Sequence, residues 1–163
     1  MLFVRVLTVR RFIGLASAIA LTACAGCRKP DLVIDSGPPT VDLAKTGVPG
    51  GSLRLAPWTL RNRGNAPTAA AGGWFTNGYY LSTDPVITPD DRLLKGLADT
   101  DSGDLAPGQT YVFPGDQAIR IPKDVKPGTY YFGILVDRTN RVDESDKSNN
   151  YVSVRIGIVK EPE

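Results

Sequence analysis

Carboxylates that could do chemistry gather between the apolar runs of this chain. Asp84, Asp90 and Asp91 fall within Asp84-Pro85-Val86-Ile87-Thr88-Pro89-Asp90-Asp91; Asp99, Asp101 and Asp104 follow, and Asp143, Glu144 and Asp146 lie near the end. Calcium takes about six to eight oxygen ligands, and neighbouring loops can supply them. Asp84, Asp90 and Asp91 are therefore the candidate ligands of a structural calcium, the one cofactor the sequence suggests. The spacing is not that of an EF-hand, which needs a central glycine, and Asp is also an ordinary residue of solvated turns. Adjacent carboxylates such as Asp90 and Asp91 do not make a glycosidase pair, whose two groups stand at least about 5 Å apart across a cleft. The chain has no histidine, which removes His-dependent triads, histidine zinc sites and the commonest general base near neutral pH. No glycine-rich phosphate loop appears either. The expectation is a protein that is not an enzyme.

The thiols point elsewhere. Cys24 and Cys27 are the only cysteines, and both lie near the start. Before them come Arg5, Arg10 and Arg11, then the apolar run Phe12–Leu21, then Leu21-Thr22-Ala23-Cys24. The run matches a secretory h-region of about 7–15 residues and falls short of the roughly 20 needed to span a bilayer. Leu21-Thr22-Ala23-Cys24 resembles the lipobox of bacterial lipoproteins. That resemblance implies removal of residues 1–23, diacylglycerol on the Cys24 sulfur and often a third acyl chain on its amine. Two or three chains hold stably where one is marginal, since each buried CH₂ adds about 0.8 kcal/mol. Two other readings of the segment stay open: a plain secretory signal cut near Ala25 or Gly26, and an uncleaved anchor. The expected location is the bacterial cell envelope, outside the cytoplasm, with the membrane itself as one partner.

Charge agrees with that processing. The chain carries 19 Lys+Arg and 17 Asp+Glu, net +2. Loss of Arg5, Arg10 and Arg11 leaves 16 against 17, net −1. No clustered basic face remains to argue for a nucleic-acid partner. Residues 24–30 form a tether of ~20 Å when extended. Residues 31–158 suit one domain with its own core, and 159–163 form a tail. That domain has no cysteine, so burial alone must hold it together.

The elements that must position these groups read as β. Gly and Pro punctuate short apolar runs throughout. Val152, Val154, Ile156 and Ile158 alternate with Ser153, Arg155 and Gly157, which gives one buried and one wet face. Thr129 to Val136 is apolar on both parities, as expected of a strand that is central or covered twice. Ser52 to Arg61 switches parity at Ala56-Pro57, where a bulge would return Leu53, Leu55, Trp58 and Leu60 to one face. Asp31 to Ile34 is a short opening strand. Trp74 to Ser82, Leu93 to Leu97, and Tyr111 to Ile121 interrupted at Pro114-Gly115 supply the rest. The fold class is all-β, an immunoglobulin-like sandwich of about seven strands.

Several pieces resemble CARDB, the cell-adhesion-related domain found in bacteria: Pro30 to Ile34, Leu60 to Ala66 with its Asn-x-Gly turn, Tyr79 to Asp84, Leu105 to Gly108, and Lys126 to Tyr131. Val136-Asp137, Glu144-Ser145-Asp146 and Ser148-Asn149-Asn150 complete the order. The resemblance covers about 31–158 and implies the same immunoglobulin-like sandwich, but no single activity. Most of these pieces have structural explanations. Gly108 and Gly128 permit tight turns, Tyr130 or Tyr131 can form a tyrosine corner, and the amides of Asn149 and Asn150 can close the last loop on its own backbone.

Two function classes follow. One is a non-catalytic binding or adhesion module engaging an envelope or surface protein or a polysaccharide. Its candidate surface is the loop Ala66–Gly73 with Trp74, Phe75, Asn77 and Tyr80, although Trp74 and Tyr79 also suit a core. The other is a structural envelope lipoprotein that stabilises or assembles a larger complex.

Overall fold

A computed structural model of the chain describes residues 28–36, 46–97, 104–115 and 117–160. The expected signal peptide, Cys24 and most of the expected tether lie outside the described residues. Ten short strands are described: β1 (Leu32–Ile34), β2 (Thr46–Gly47), β3 (Ser52–Leu55), β4 (Trp58–Asn62), β5 (Asn77–Ser82), β6 (Arg92–Leu97), β7 (Thr110–Phe113), β8 (Gln117–Arg120), β9 (Gly128–Leu135) and β10 (Tyr151–Ile158). One layer holds β1-β4-β7 and the pair β3-β8; the other is the five-stranded sheet β2-β10-β9-β5-β6.

The parity switch at Ala56-Pro57 is real. Leu53, Leu55, Trp58 and Leu60 are all buried. Three residue steps separate Leu55 from Trp58, while their partners Gln117 and Phe113 are four apart. The register slips by one residue there, and both apolar pairs reach the core. Gly115 lies so close to the Pro57 ring that a Cβ on it would collide. The two interruptions are therefore packed against each other.

The core lies between the layers. Leu32, Trp58, Leu60, Phe113, Ile119 and Ile121 from one side meet Tyr79, Leu81, Phe132, Ile134, Ile156 and Ile158 from the other. Trp58 stacks on Phe113 with centroids 4.0 Å apart, and its Nε1–H donates to Tyr79 Oη at 3.0 Å. That bond satisfies two polar groups that burial would otherwise leave at a cost of about 1–3 kcal/mol. Burial raises the Tyr79 pKa, and the Trp58 bond opposes that rise.

β9 is apolar on both parities because it is covered twice. Its outer face carries Gly133, and Ile87 from the β5–β6 loop fills the space a side chain there would take. Tyr80, Ile87, Leu135 and half-buried Tyr151 form a second small core on that face. β10 keeps Ile156 and Ile158 buried and Val152 and Val154 half-buried against the core. β2, which pairs parallel with β10, has only two residues and no pattern for a sequence reading to find.

Candidate functional site

Trp74 is presented by a turn that is tied down at nearly every residue. The chain leaves β4 through Asn62, whose side chain is fully buried and fully used. Its Oδ1 accepts from the Asp31 and Gly64 amides, and its Nδ2 donates to the Ala66 and Leu105 carbonyls. A 3-10 turn follows at Thr68–Ala71. Asp104 Oδ1 accepts from Thr68 Oγ1 at 3.2 Å and from the Ala69 amide at 2.9 Å, and Thr68 Oγ1 accepts from the Leu105 amide at 3.0 Å. Gly72 (φ 131°) and Gly73 (φ 77°) then redirect the backbone. A side chain at Gly72 would strike the Arg141 carbonyl, so close approach and positive φ both require glycine.

The indole emerges from this support 59% exposed. Beside it is a hollow of about 100 Å³ bordered by Ala69, Gly73 and Asp104. An aromatic face held out on rigid backbone, with a carboxylate next to it, can stack on an apolar ring face and accept hydrogen bonds from the same ligand.

The other candidates of this surface turn inward. Phe75 is 1% exposed and belongs to the main core. Tyr80 is 1% exposed because the β5–β6 loop covers that face of the sheet. Asn77 is 3% exposed and its Oδ1 accepts from the Asp137 amide at 3.2 Å. Of the four residues expected to meet a partner, only Trp74 is available. The expectation that Trp74 also suits the core is overturned: Trp58 holds that place.

Asp137 heads a buried polar knot that sequence reasoning did not assemble. Its side chain is wholly buried at a positive-φ position (φ 46°). Oδ1 accepts from the Arg141 amide at 2.9 Å; Oδ2 accepts from the Val142 amide at 2.9 Å and from Lys147 Nζ at 3.3 Å. Glu144 accepts from the Leu32 amide at 2.6 Å and from Asn150 Nδ2 at 2.7 Å. Burial pushes the Glu144 pKa up to about 7, against the opposing effects of the Asn150 and Leu32 hydrogen bonds and of the Lys147 charge. Asn149 Nδ2 donates to Asp31 Oδ1 at 2.8 Å. Asn149 and Asn150 thus bond carboxylates, where closure on their own backbone was expected. Together these groups fasten the last loop to the first strand.

Two smaller expectations divide. Tyr130 Oη donates to the Lys126 carbonyl at 3.1 Å and ties down the turn before β9. Gly108 has the positive φ its turn demands (79°), whereas Gly128 does not.

The CARDB family model matches residues 29–154. The chain belongs to the CARDB family. CARDB is a non-enzymatic domain family. The chain is similar in structure to the CARDB domain of a Pyrococcus furiosus protein, crystallised in complex with di-metal ions, at 17% identity and TM-score 0.50 over 80% of this chain and 90% of that one. A solution structure of the same Pyrococcus domain gives 16% identity and TM-score 0.52 over 81% and 97%. A domain of a Methanosarcina acetivorans protein provisionally assigned to the cell surface gives 19% identity and TM-score 0.46 over 80% and 93%. No curated protein matches the chain.

The loop carboxylates of this CARDB chain make local hydrogen bonds. Asp84 Oδ1 accepts from the Val86 amide at 2.8 Å, and Asp91 Oδ2 accepts from the amide and hydroxyl of Thr88 at 2.8 and 3.2 Å. Both are turn-closing bonds. Asp90 and Asp91 border an open cleft of about 390 Å³ with Asp124, but Arg92 already pairs Asp124 through two bonds of 2.8 and 2.7 Å. Among the described residues no three acidic side chains are gathered to hold a metal. Asp99 and Asp101 lie outside the described residues.

Proposed function

We propose that this CARDB chain is a non-catalytic binding module, displayed outside the cytoplasm on a lipid anchor at Cys24, that engages a surface polysaccharide or protein through Trp74. The observation that carries the reading is the exposed indole, held on a turn whose backbone is fixed by Asp104, Thr68 and Gly72. Fixing a contact residue beforehand lowers the ordering cost of binding. Exposed tryptophan is enriched among residues that dominate binding energy. Asp104 gives the same spot a charged acceptor for hydroxyl or amide donors.

Anchoring and recognition are separable by experiment. Cys24→Ser should abolish acyl labelling and release the protein from the membrane fraction, whereas Cys27→Ser should do neither. Labelling that persists in Cys24→Ser rejects the anchor. For recognition, wild type and Trp74→Ala are compared on an array of bacterial surface glycans and in pull-downs from detergent-solubilised envelopes. Loss of a specific signal in Trp74→Ala supports the reading. A partner recovered equally by both proteins rejects Trp74 as the contact and favours assembly of a larger complex.

A further inference from the structure

The chain enters the sandwich at the end that carries Trp74. The Lys29 amide donates to Asn65 Oδ1 at 2.9 Å, and the Asn65 amide returns a bond to the Lys29 carbonyl at 3.0 Å. The Ser145 amide donates to the Pro30 carbonyl at 2.9 Å. A side chain at Gly64 would strike the Lys29 carbonyl, so the turn after β4 packs directly on this entering strand of chain. Asp143 joins it to the Trp74 turn. Its Oδ1 accepts from Lys29 Nζ at 2.7 Å, and its amide donates to the Ala71 carbonyl at 2.8 Å, three residues before Trp74. Residues 29–31 are thereby fixed beside that turn.

Reach then limits what can meet Trp74. Four residue steps join Cys24 to Arg28 and span at most ~14 Å. A folded partner of 100 residues has a radius of gyration of ~13 Å, and so a breadth of about twice that. A lipid headgroup fits between this end of the domain and an anchoring bilayer where such a partner does not. β9 and β10 each run eight residues away from this end, or ~25 Å, so the loops beyond them, Lys126 included, stand well clear. Charge gives the near end no excess of either sign. Arg28, Lys29 and Arg141 stand against Asp104, Asp143 and Asp146, while Lys147 is held by buried Asp137 and Glu144. An uncharged ligand suits that balance. The exposed indole offers a flat apolar face, and Asp104 beside it accepts from hydroxyl donors. A sugar ring presents both an apolar C–H face and hydroxyls.

We propose that the ligand of Trp74 is an uncharged sugar carried on a lipid of the anchoring membrane, met between that membrane and the near end of the domain. The inference rests on the Cys24 anchor and the Trp74 contact of the proposed function, and it narrows their ligand to a glycolipid headgroup. Anchor and headgroup share one surface, which raises the effective concentration of each for the other.

The test uses the acylated full chain purified from membranes and placed in vesicles of phosphatidylcholine alone, or with glucosyl-, galactosyl- or mannosyl-diacylglycerol. Trp58 is 2% exposed, so quenching of tryptophan fluorescence by aqueous acrylamide reports Trp74. At least one glycolipid should protect Trp74, at a sugar concentration about 100-fold below that at which the matching methyl glycoside protects soluble Cys24→Ser. In a Cys27→Ser background, energy transfer to a lipid-borne acceptor should be stronger from a dye at Ala70→Cys, on the Trp74 turn, than from one at Lys126→Cys. Equal transfer from the two positions rejects the orientation. Equal protection by plain phosphatidylcholine shows the ring inserted in lipid and rejects the sugar. Methyl glycosides as effective as glycolipids, or no protection by any glycolipid, reject the membrane-borne ligand. In each of these cases the comparison of wild type with Trp74→Ala on glycans and envelope proteins still decides the Trp74 contact by itself. Absence of acyl labelling rejects the anchor, and this inference with it.

Discussion

The loops 138–150 and 66–74 are both short, polar or small-residue stretches between apolar strands, yet they treat their functional groups in opposite ways. The first turns carboxylates and amides inward, where Glu144 and Asn149 reach across more than a hundred residues to Leu32 and Asp31. The second uses Thr68 and Asp104 to fix its backbone and leaves one large ring outside. The difference teaches that polar side chains here are mostly structural, and that the group left outside is the apolar one. A buried carboxylate is stable only when amides and cations surround it, so each inward carboxylate is already committed.

The sharpest way to break this contrast is at Asp137. Asp137→Ala leaves the Arg141 and Val142 amides unpaired and removes the main counter-charge of Lys147. The expected loss is about 2–4 kcal/mol, taken below the range for a fully buried pair because Lys147 is partly exposed. Chemical denaturation measures it; an unchanged midpoint would show that the knot carries no stability. Glu144 sharpens the contrast through pH. Its folded pKa of about 7 lies above its ordinary value of 4.5, so the folded state binds the proton more tightly. The corresponding stabilisation is complete below about pH 4.5 and fades as pH rises through about 7. Relative to Glu144→Gln, wild type should therefore gain about 2–3 kcal/mol between pH 8 and pH 5. Parallel stability–pH curves for the two proteins would contradict the assignment.

How much of this was legible depends on whether the information was local. Alternation along β10, double-sided apolarity in β9 and the parity switch in β3 and β4 are local patterns, and each predicted its strand. Parity also placed Trp58 beside Leu60. The knot was not legible in the same way: Leu32 and Glu144 meet only because the sandwich folds its first strand beside its last loop, and no spacing encodes that meeting. The binding surface failed for a related reason. Phe75, Asn77, Tyr79 and Tyr80 look alike as neighbours of an exposed loop. All four are covered, Phe75 and Tyr79 by the main core, Asn77 against Asp137 and Tyr80 by the β5–β6 loop closing over Gly133, all contacts between distant segments. The Asp84–Asp91 carboxylates carry no deciding local signal, because a turn-closing Asp and a calcium-binding Asp have the same letter and nearly the same neighbours.

The smallest expected effect on stability is at Trp74, and it decides what the contrast means. Trp74→Ala removes a ring that is 59% exposed and supports no hydrogen bond among the described residues. Surface changes of this kind usually fall within about 0.5 kcal/mol. If the ring were instead a loosely packed part of the core, its removal would cost about 3–5 kcal/mol, as buried tryptophans do. One melting experiment separates the two. A near-neutral melt together with lost binding would show a residue retained for contact. A large melting shift would move Trp74 into the company of Trp58, and the outward half of the comparison would dissolve. A near-neutral melt with binding intact would leave the turn built by Asp104, Thr68 and Gly72 as structure alone.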